Sequence, residues 1–160
     1  METGSKQKSY STLRLRRPEI LPFDLRYYDA VFALWQSTEG LTLRDADSRE
    51  AIGRYLERNP GLSFVAFDGE NLVGAVLCGH DGRRGYLQHL AVAPGHRRRG
   101  IGAALAERCL AALAEQGIFK CHLFVRADNP EARAFWERVG WTVREDAVFM
   151  SRTVSGDGNV

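Results

Sequence analysis

The stretch YLQHLAV at 86–92, with the turn and apolar run that follow it, constrains the fold of this chain more than any other feature. After the turn, Ile101, Leu105, Cys109 and Leu113 fall four residues apart, so they line one face of a helix, and Gly117 can cap its end. FKCHLFV then reads as a further strand. A strand, a helix and a strand in immediate succession have few packing solutions. The unit from Tyr86 to Val125 is expected to be a parallel, right-handed crossover.

The remaining elements fall around that unit. Leu13 and Leu15 alternate with arginines, which predicts a half-buried strand ended by Pro18. Asp24 can cap a helix with Leu25, Tyr28, Phe32 and Trp35 at helical spacing. Asp47-Ser48-Arg49-Glu50 reads as a capping-box start for a second helix that buries Ile52, Tyr55 and Leu56 and stops at Asn59-Pro60. LSFVAF and LVGAVLCGH, separated by the turn DGEN, give two strands, and DGRRG leads into YLQHLAV. Asn129 caps a last helix with Pro130 at its first position and Gly140 beyond its end. Short strands around Trp141–Val143 and Val148–Arg152 close the domain. The expected fold is α/β (α+β), a mixed sheet of about seven strands with about four helices on its two faces. Residues 1–11 read as a flexible N-terminal segment, 12–154 as one domain and 155–160 as a flexible tail.

Composition excludes several partners. The formal net charge is only +2, so bulk electrostatics do not point to nucleic acid or a membrane, and any basic patch must be local. Cys78, Cys109 and Cys121 are widely spaced with no CxxC pair, which reads as reduced core thiols and no metal site. No stretch approaches the ~20 apolar residues of a membrane span, and METGSKQKSYS lacks the apolar core of a signal peptide. A cytoplasmic location is expected.

The turn HRRRGIG carries the chemistry. The first N–H groups of a helix have no partner inside it, and the helix dipole favours an anion there. Gly100 and Gly102 would keep side chains away from a bound diphosphate, while Arg97, Arg98 and Arg99 supply charge-assisted donors. The turn lacks the Gly-Lys-Ser/Thr of a Walker loop and the full GxGxxG spacing. From these residues alone, a phosphate cradle and a solvated basic turn both remain open.

Arg97-Arg98-Arg99-Gly100-Ile101-Gly102 resembles the Arg/Gln-x-x-Gly-x-Gly/Ala signature of the GNAT N-acetyltransferases. The preceding Leu90-Ala91-Val92 and the later NPEARAFWERVGW from Asn129 to Trp141 are similar to that family as well, and the likeness runs from about Leu13 to Thr153. The resemblance implies acetyl-CoA as co-substrate, with no metal. Its diphosphate would lie on the backbone amides of Arg98 to Ala103, and its pantetheine arm would pair with the strand at Leu90, Ala91 and Val92, near Asn129. A homodimer is a further expectation, since the family often forms dimers.

Acetyl transfer needs a neutral amine, a polarised thioester carbonyl and a protonated leaving thiolate. The Leu90 N–H can polarise the carbonyl as an oxyanion donor. Many family members protonate the thiolate with a Tyr on the last helix, where this chain has Trp136. The ribosomal-protein N-alpha-acetyltransferases, which the chain also resembles, carry a Glu base where this chain has Phe124. Strand parity puts Tyr86, Gln88 and Leu90 on one face, and some histone-type members have a glutamate base at the position of Tyr86. By the same parity His89 points away and is structural unless a bulge intervenes. His122 shares a face with Phe124, and Glu39 and Asp45 lie where the family builds its acceptor site. The resulting expectation is an acetyl-CoA-dependent N-acetyltransferase acting on a primary amine of a small or amino-acid-like acceptor by direct attack. A CoA-binding sensor without turnover, a protein N-terminal or lysine acetyltransferase, and an arginine-rich nucleic-acid patch are the competing readings.

Overall fold

The computed structural model describes residues 17–156 and 158–160. The strand expected at Leu13 and Leu15 lies outside the described residues, and the first described strand, β1 (Glu19–Pro22), begins just after Pro18. Asp24 accepts the Arg26 N–H at 2.9 Å and caps a 3₁₀ turn, Leu25–Tyr27, which passes into α1 (Tyr28–Gln36). The tighter turn rotates the apolar stripe. Tyr28, Val31, Leu34 and Trp35 are therefore the buried positions of α1, while Leu25 and Phe32 are half-buried. A second 3₁₀ turn, Asp45–Asp47, leads to α2 (Arg49–Arg58), whose N-cap Ser48 accepts the Ala51 N–H.

β2 (Phe64–Asp68), β3 (Asn71–His80) and β4 (Gly85–Val92) follow at the expected turns. A short 3₁₀ turn, Pro94–His96, precedes α3 (Ile101–Glu115). Then come β5 (Cys121–His122) and α4 (Pro130–Arg138), with Asn129 accepting the Ala132 N–H at 3.0 Å. The sheet order is β1-β2-β3-β4-β5. Its first four strands are antiparallel, and β5 runs parallel to β4 across the α3 crossover.

Two cores flank the sheet. On one face Ile101, Leu105, Cys109 and Leu113 of α3 pack against Phe64, Ala66, Val76, Cys78 and Leu87. On the other, α1 and α2 bring Val31, Trp35 and Ile52 onto Val65, Ala75, Leu77 and Ala91. Burial on both faces explains why β3 reads as an almost unbroken apolar run.

The expectation of about seven strands is corrected to five among the described residues. FKCHLFV pairs only at Cys121–His122, and neither 141–143 nor 148–152 forms a strand. The segments 141–143 and 148–152 have strand-like composition, but a strand needs a neighbouring ladder, and they join none among the described residues. Phe149 touches the Phe124 ring, with centroids 4.6 Å apart, without joining the sheet.

Candidate active site

β4 is interrupted by one extra residue. Leu77 pairs with Gln88 on one side of the irregularity, and Ala75 pairs with Ala91 on the other. The slip is a β-bulge at His89-Leu90, where His89 adopts φ +53°, a left-handed conformation unusual for a side-chain-bearing residue. Past the bulge the faces exchange. Leu90 and Val92 turn toward α3 with Leu87, so the expectation that Leu90 shares a face with Tyr86 and Gln88 is corrected. His89 turns toward α1 instead. Its carbonyl accepts the Trp35 Nε1–H at 3.0 Å, its ring lies edge-to-face with Trp35, and its Nε2 sits 2.8 Å from Asp47 Oδ1.

Asp47 is nearly buried, and its other carboxylate oxygen accepts the Arg44 N–H at 2.8 Å. Burial by itself would raise the Asp47 carboxyl, but the hydrogen bonds from His89 and the Arg44 backbone outweigh it and hold it below the ordinary carboxylate value. In the sequence Asp47 reads as the start of a helix cap and Trp35 as a core position. The one available signal was that a buried indole N–H requires an acceptor.

Beyond β4 the chain turns through Arg98 (φ +60°) and Gly100 (φ +77°) into α3. A side chain at Gly100 would meet no atom within 4 Å, so this glycine is kept for its backbone conformation and for open space above the helix end. The first bond into α3 runs from the Ala104 N–H to the Gly100 carbonyl at 3.0 Å. The N–H groups of Ile101, Gly102 and Ala103 therefore lie ahead of the helical ladder, at the positive end of a 15-residue helix.

Gly102 differs from its expected role. It is buried, and a Cβ there would lie 3.3 Å from the Phe135 ring and 3.6 Å from Leu90 and Val92 side chains, so its bareness lets α3 and α4 close on β4. The arginines also divide. Arg97 Nε donates to the Val92 carbonyl at 3.1 Å, and Arg99 lies 3.6 Å from Asp68, which His96 also contacts at 3.0 Å. Only Arg98 has no partner among the described residues.

A cavity of about 230 Å³ opens beside the start of β4, lined by Tyr55, Arg58, His80, Asp81, Tyr86 and Gln88. His80 Nδ1 accepts the Gly82 N–H, so Nε2 carries the proton donated to Gln116 Oε1 at 2.9 Å. Burial pushes the Tyr55 hydroxyl well above the usual phenol range, so it stays a neutral donor. The Tyr86 ring rests against His122, with centroids 5.8 Å apart. A larger concavity on the outer side of α2 is lined by Leu25, Arg49, Glu50, Gly53, Arg54 and Glu57 and includes no residue of β4 or α3.

The other expected positions are scattered. Trp136 packs between Phe135 and Trp141, Phe124 is largely exposed, and Glu39 is exposed beyond α1. Asp45 is held by Asn159 through backbone and side chain. Asn129 lies close to Gly40, where a Cβ would be 3.1 Å from its amide nitrogen, so the connection after α1 reaches the start of α4. Cys78 and Cys109 are buried and Cys121 is half-buried, all reduced. A hydrogen bond with Cys78 and burial push the Cys109 thiol up, and burial pushes Cys121 up to about 12, so neither is a thiolate nucleophile at neutral pH. Among the described residues, no three His, Cys, Asp or Glu side chains are grouped to hold a metal ion, and no helix is long and apolar enough to cross a membrane.

The chain as a whole is similar to known proteins. An acetyltransferase of Sodalis glossinidius is 30% identical over 139 residues, spanning 87% of this chain and 97% of its own. One from Pectobacterium atrosepticum is 36% identical over 121 residues, spanning 76% of this chain and 85% of its own. Among solved structures, the PaiA N-acetyltransferase of Thermoplasma acidophilum, crystallised with coenzyme A, superposes with a TM-score of 0.73 at 18% identity, over 82% of this chain and 94% of that one. Ard1 of Thermoplasma volcanium does so at 0.71 and 22% identity, over 81% and 85%. At such identities these two show the fold alone. The model of the acetyltransferase (GNAT) family matches residues 28–141, and with β4, the Gly100 turn and α3 all inside that match, the chain belongs to the GNAT family of N-acetyltransferases.

Proposed function

We propose that this enzyme uses acetyl-CoA to acetylate a primary amine of a small or amino-acid-like acceptor by direct attack, with no covalent enzyme intermediate. The observation that carries the reading is the continuity of the β4 bulge with the open N-terminus of α3 at Gly100. The donor fits that place. The N–H groups of Ile101, Gly102 and Ala103, with those of Arg98, Arg99 and Gly100, would hold the diphosphate, and unpartnered Arg98 can add charge. Leu90, Ala91 and Val92 would take the pantetheine arm along β4. The Val92 carbonyl already accepts the Arg97 Nε–H and keeps a second lone pair with which the arm could pair.

The Leu90 N–H, lifted from the regular ladder by the bulge, would polarise the thioester carbonyl. The cavity beside Tyr86 and Gln88 is of amino-acid size and supports a small acceptor. Orientation of two bound reactants accounts for most of the required acceleration, consistent with Trp136 and Phe124 lacking titratable protons. Calorimetry with acetyl-CoA, followed by thiol detection across a panel of primary amines, tests the proposal. Binding and turnover are expected, whereas tight binding with no thiol release from any amine would mean a CoA-binding module without turnover.

A further inference from the structure

From the contacts around the bulge we infer that His89, held by Asp47, is the base that takes the proton from the acceptor ammonium, with Asp47 as its positioning residue. The inference rests on the acetyltransferase reading above and assigns a group that reading leaves open. Three observations converge on His89. The bulge carries its side chain to the α1 side of the sheet, the side on which Gln88 and Tyr86 line the cavity with Tyr55. Its backbone is held at φ +53°, and strain of this kind persists only where surrounding contacts over-determine it. Those contacts are the fully buried Trp35, whose Nε1–H binds the His89 carbonyl, and the Asp47 carboxylate on Nε2.

The pairing sets the tautomer. A carboxylate accepts only, so a neutral His89 must donate from Nε2 and leave the Nδ1 lone pair bare. Nδ1 bonds to no described residue, and no buried side-chain nitrogen of the described residues lacks a partner, so Nδ1 is open to solvent. Asp47 is itself fixed by the Arg44 N–H, and its carbonyl accepts the Tyr28 hydroxyl at 2.7 Å. The Arg49 guanidinium lies over the Tyr28 ring, 5.5 Å from its centroid. An open lone pair on an imidazole whose other nitrogen is anchored to a carboxylate is the arrangement a general base requires.

The step balances. The acceptor ammonium gives one proton to His89 Nδ1, and the freed amine lone pair forms the new C–N bond at the thioester carbonyl. The C–S bond then breaks, the CoA sulfur leaves with the proton shed by the new amide nitrogen, and His89 returns its proton to solvent.

The test compares wild type with His89→Gln, which keeps an N–H donor toward Asp47 but has no basic lone pair, and with Asp47→Asn. Acetyl-CoA calorimetry on the wild type comes first: absence of binding would defeat the acetyltransferase reading without touching the ring geometry. Nitrogen-15 NMR of the wild-type imidazole should show the neutral ring protonated on Nε2, with that preference lost in Asp47→Asn. A neutral ring protonated on Nδ1 overturns the inference, and this measurement needs no acceptor. Thiol release with tyramine, spermidine and glycinamide should then show kcat lowered on the order of 10²-fold in His89→Gln, with acetyl-CoA affinity and melting temperature close to wild type. Unchanged kcat, or a kcat loss matched by lost affinity and stability, would reduce His89 to a structural tie between α1 and the sheet.

Discussion

Replacing Gly100 isolates what the open end of α3 contributes. Gly100 sits at φ +77°, and a Cβ added there would meet no atom within 4 Å, so a substitution carries backbone strain and no clash. The left-handed conformation costs roughly 1–2 kcal/mol for a residue with a Cβ. For a chain of this size that lowers the melting temperature by about 2–8 °C. Gly100→Ala should show this loss and little else. Gly100→Asp adds a carboxylate at the mouth of the helix, where the diphosphate would lie. Two like charges about 4 Å apart repel by about 1 kcal/mol in bulk water and about 4 kcal/mol at the effective dielectric of a protein surface. Acetyl-CoA affinity should therefore fall by roughly fivefold to a thousandfold relative to Gly100→Ala. Thermal melts and calorimetry on both variants supply the comparison. Equal acetyl-CoA affinities in the two variants would refute the cradle.

Gly102→Asp should behave differently: its side chain would be forced toward Phe135, Leu90 and Val92, so the melt collapses along with binding, and a well-folded variant would contradict the packing. Trp136→Phe should keep kcat within about tenfold of wild type, because the indole of Trp136 carries no titratable proton. Tyr86→Phe should cost on the order of 10²-fold if its hydroxyl, or a water it orders, relays the amide proton to the departing sulfur, and steady-state kinetics on both variants would expose the reverse order. Stability should fall as pH drops below 3.8, the ordinary value from which the Asp47 carboxyl is lowered: a group depressed in the fold stabilises it above its unfolded value and loses that contribution as pH falls through the folded one. Denaturant melts of wild type and Asp47→Asn across that range should converge at the acid end, and parallel curves would count against the linkage.

The sequence by itself determined the elements whose signals are local. Ile101, Leu105, Cys109 and Leu113 made the buried face of α3 because a four-residue spacing matches the helical period. Asn129 caps α4 because the donor it satisfies lies three residues ahead, whereas the cap of α2 is Ser48, one residue beyond the Asp47 at which the capping box reads. The turn at Gly100 was legible for the same reason. Tertiary structure decided the rest. Alternation assigns strand faces only while the ladder is regular, and one inserted residue at His89-Leu90 sent Leu90 to the α3 side and His89 to Trp35 and Asp47. Which of three adjacent arginines stays unpaired depended on Asp68 and the Val92 carbonyl, both distant from them or pointing at them only after folding. Strand-like residues near Val148 and Met150 stayed outside the sheet because hydrogen-bonding partners, unlike propensity, come from elsewhere in the chain.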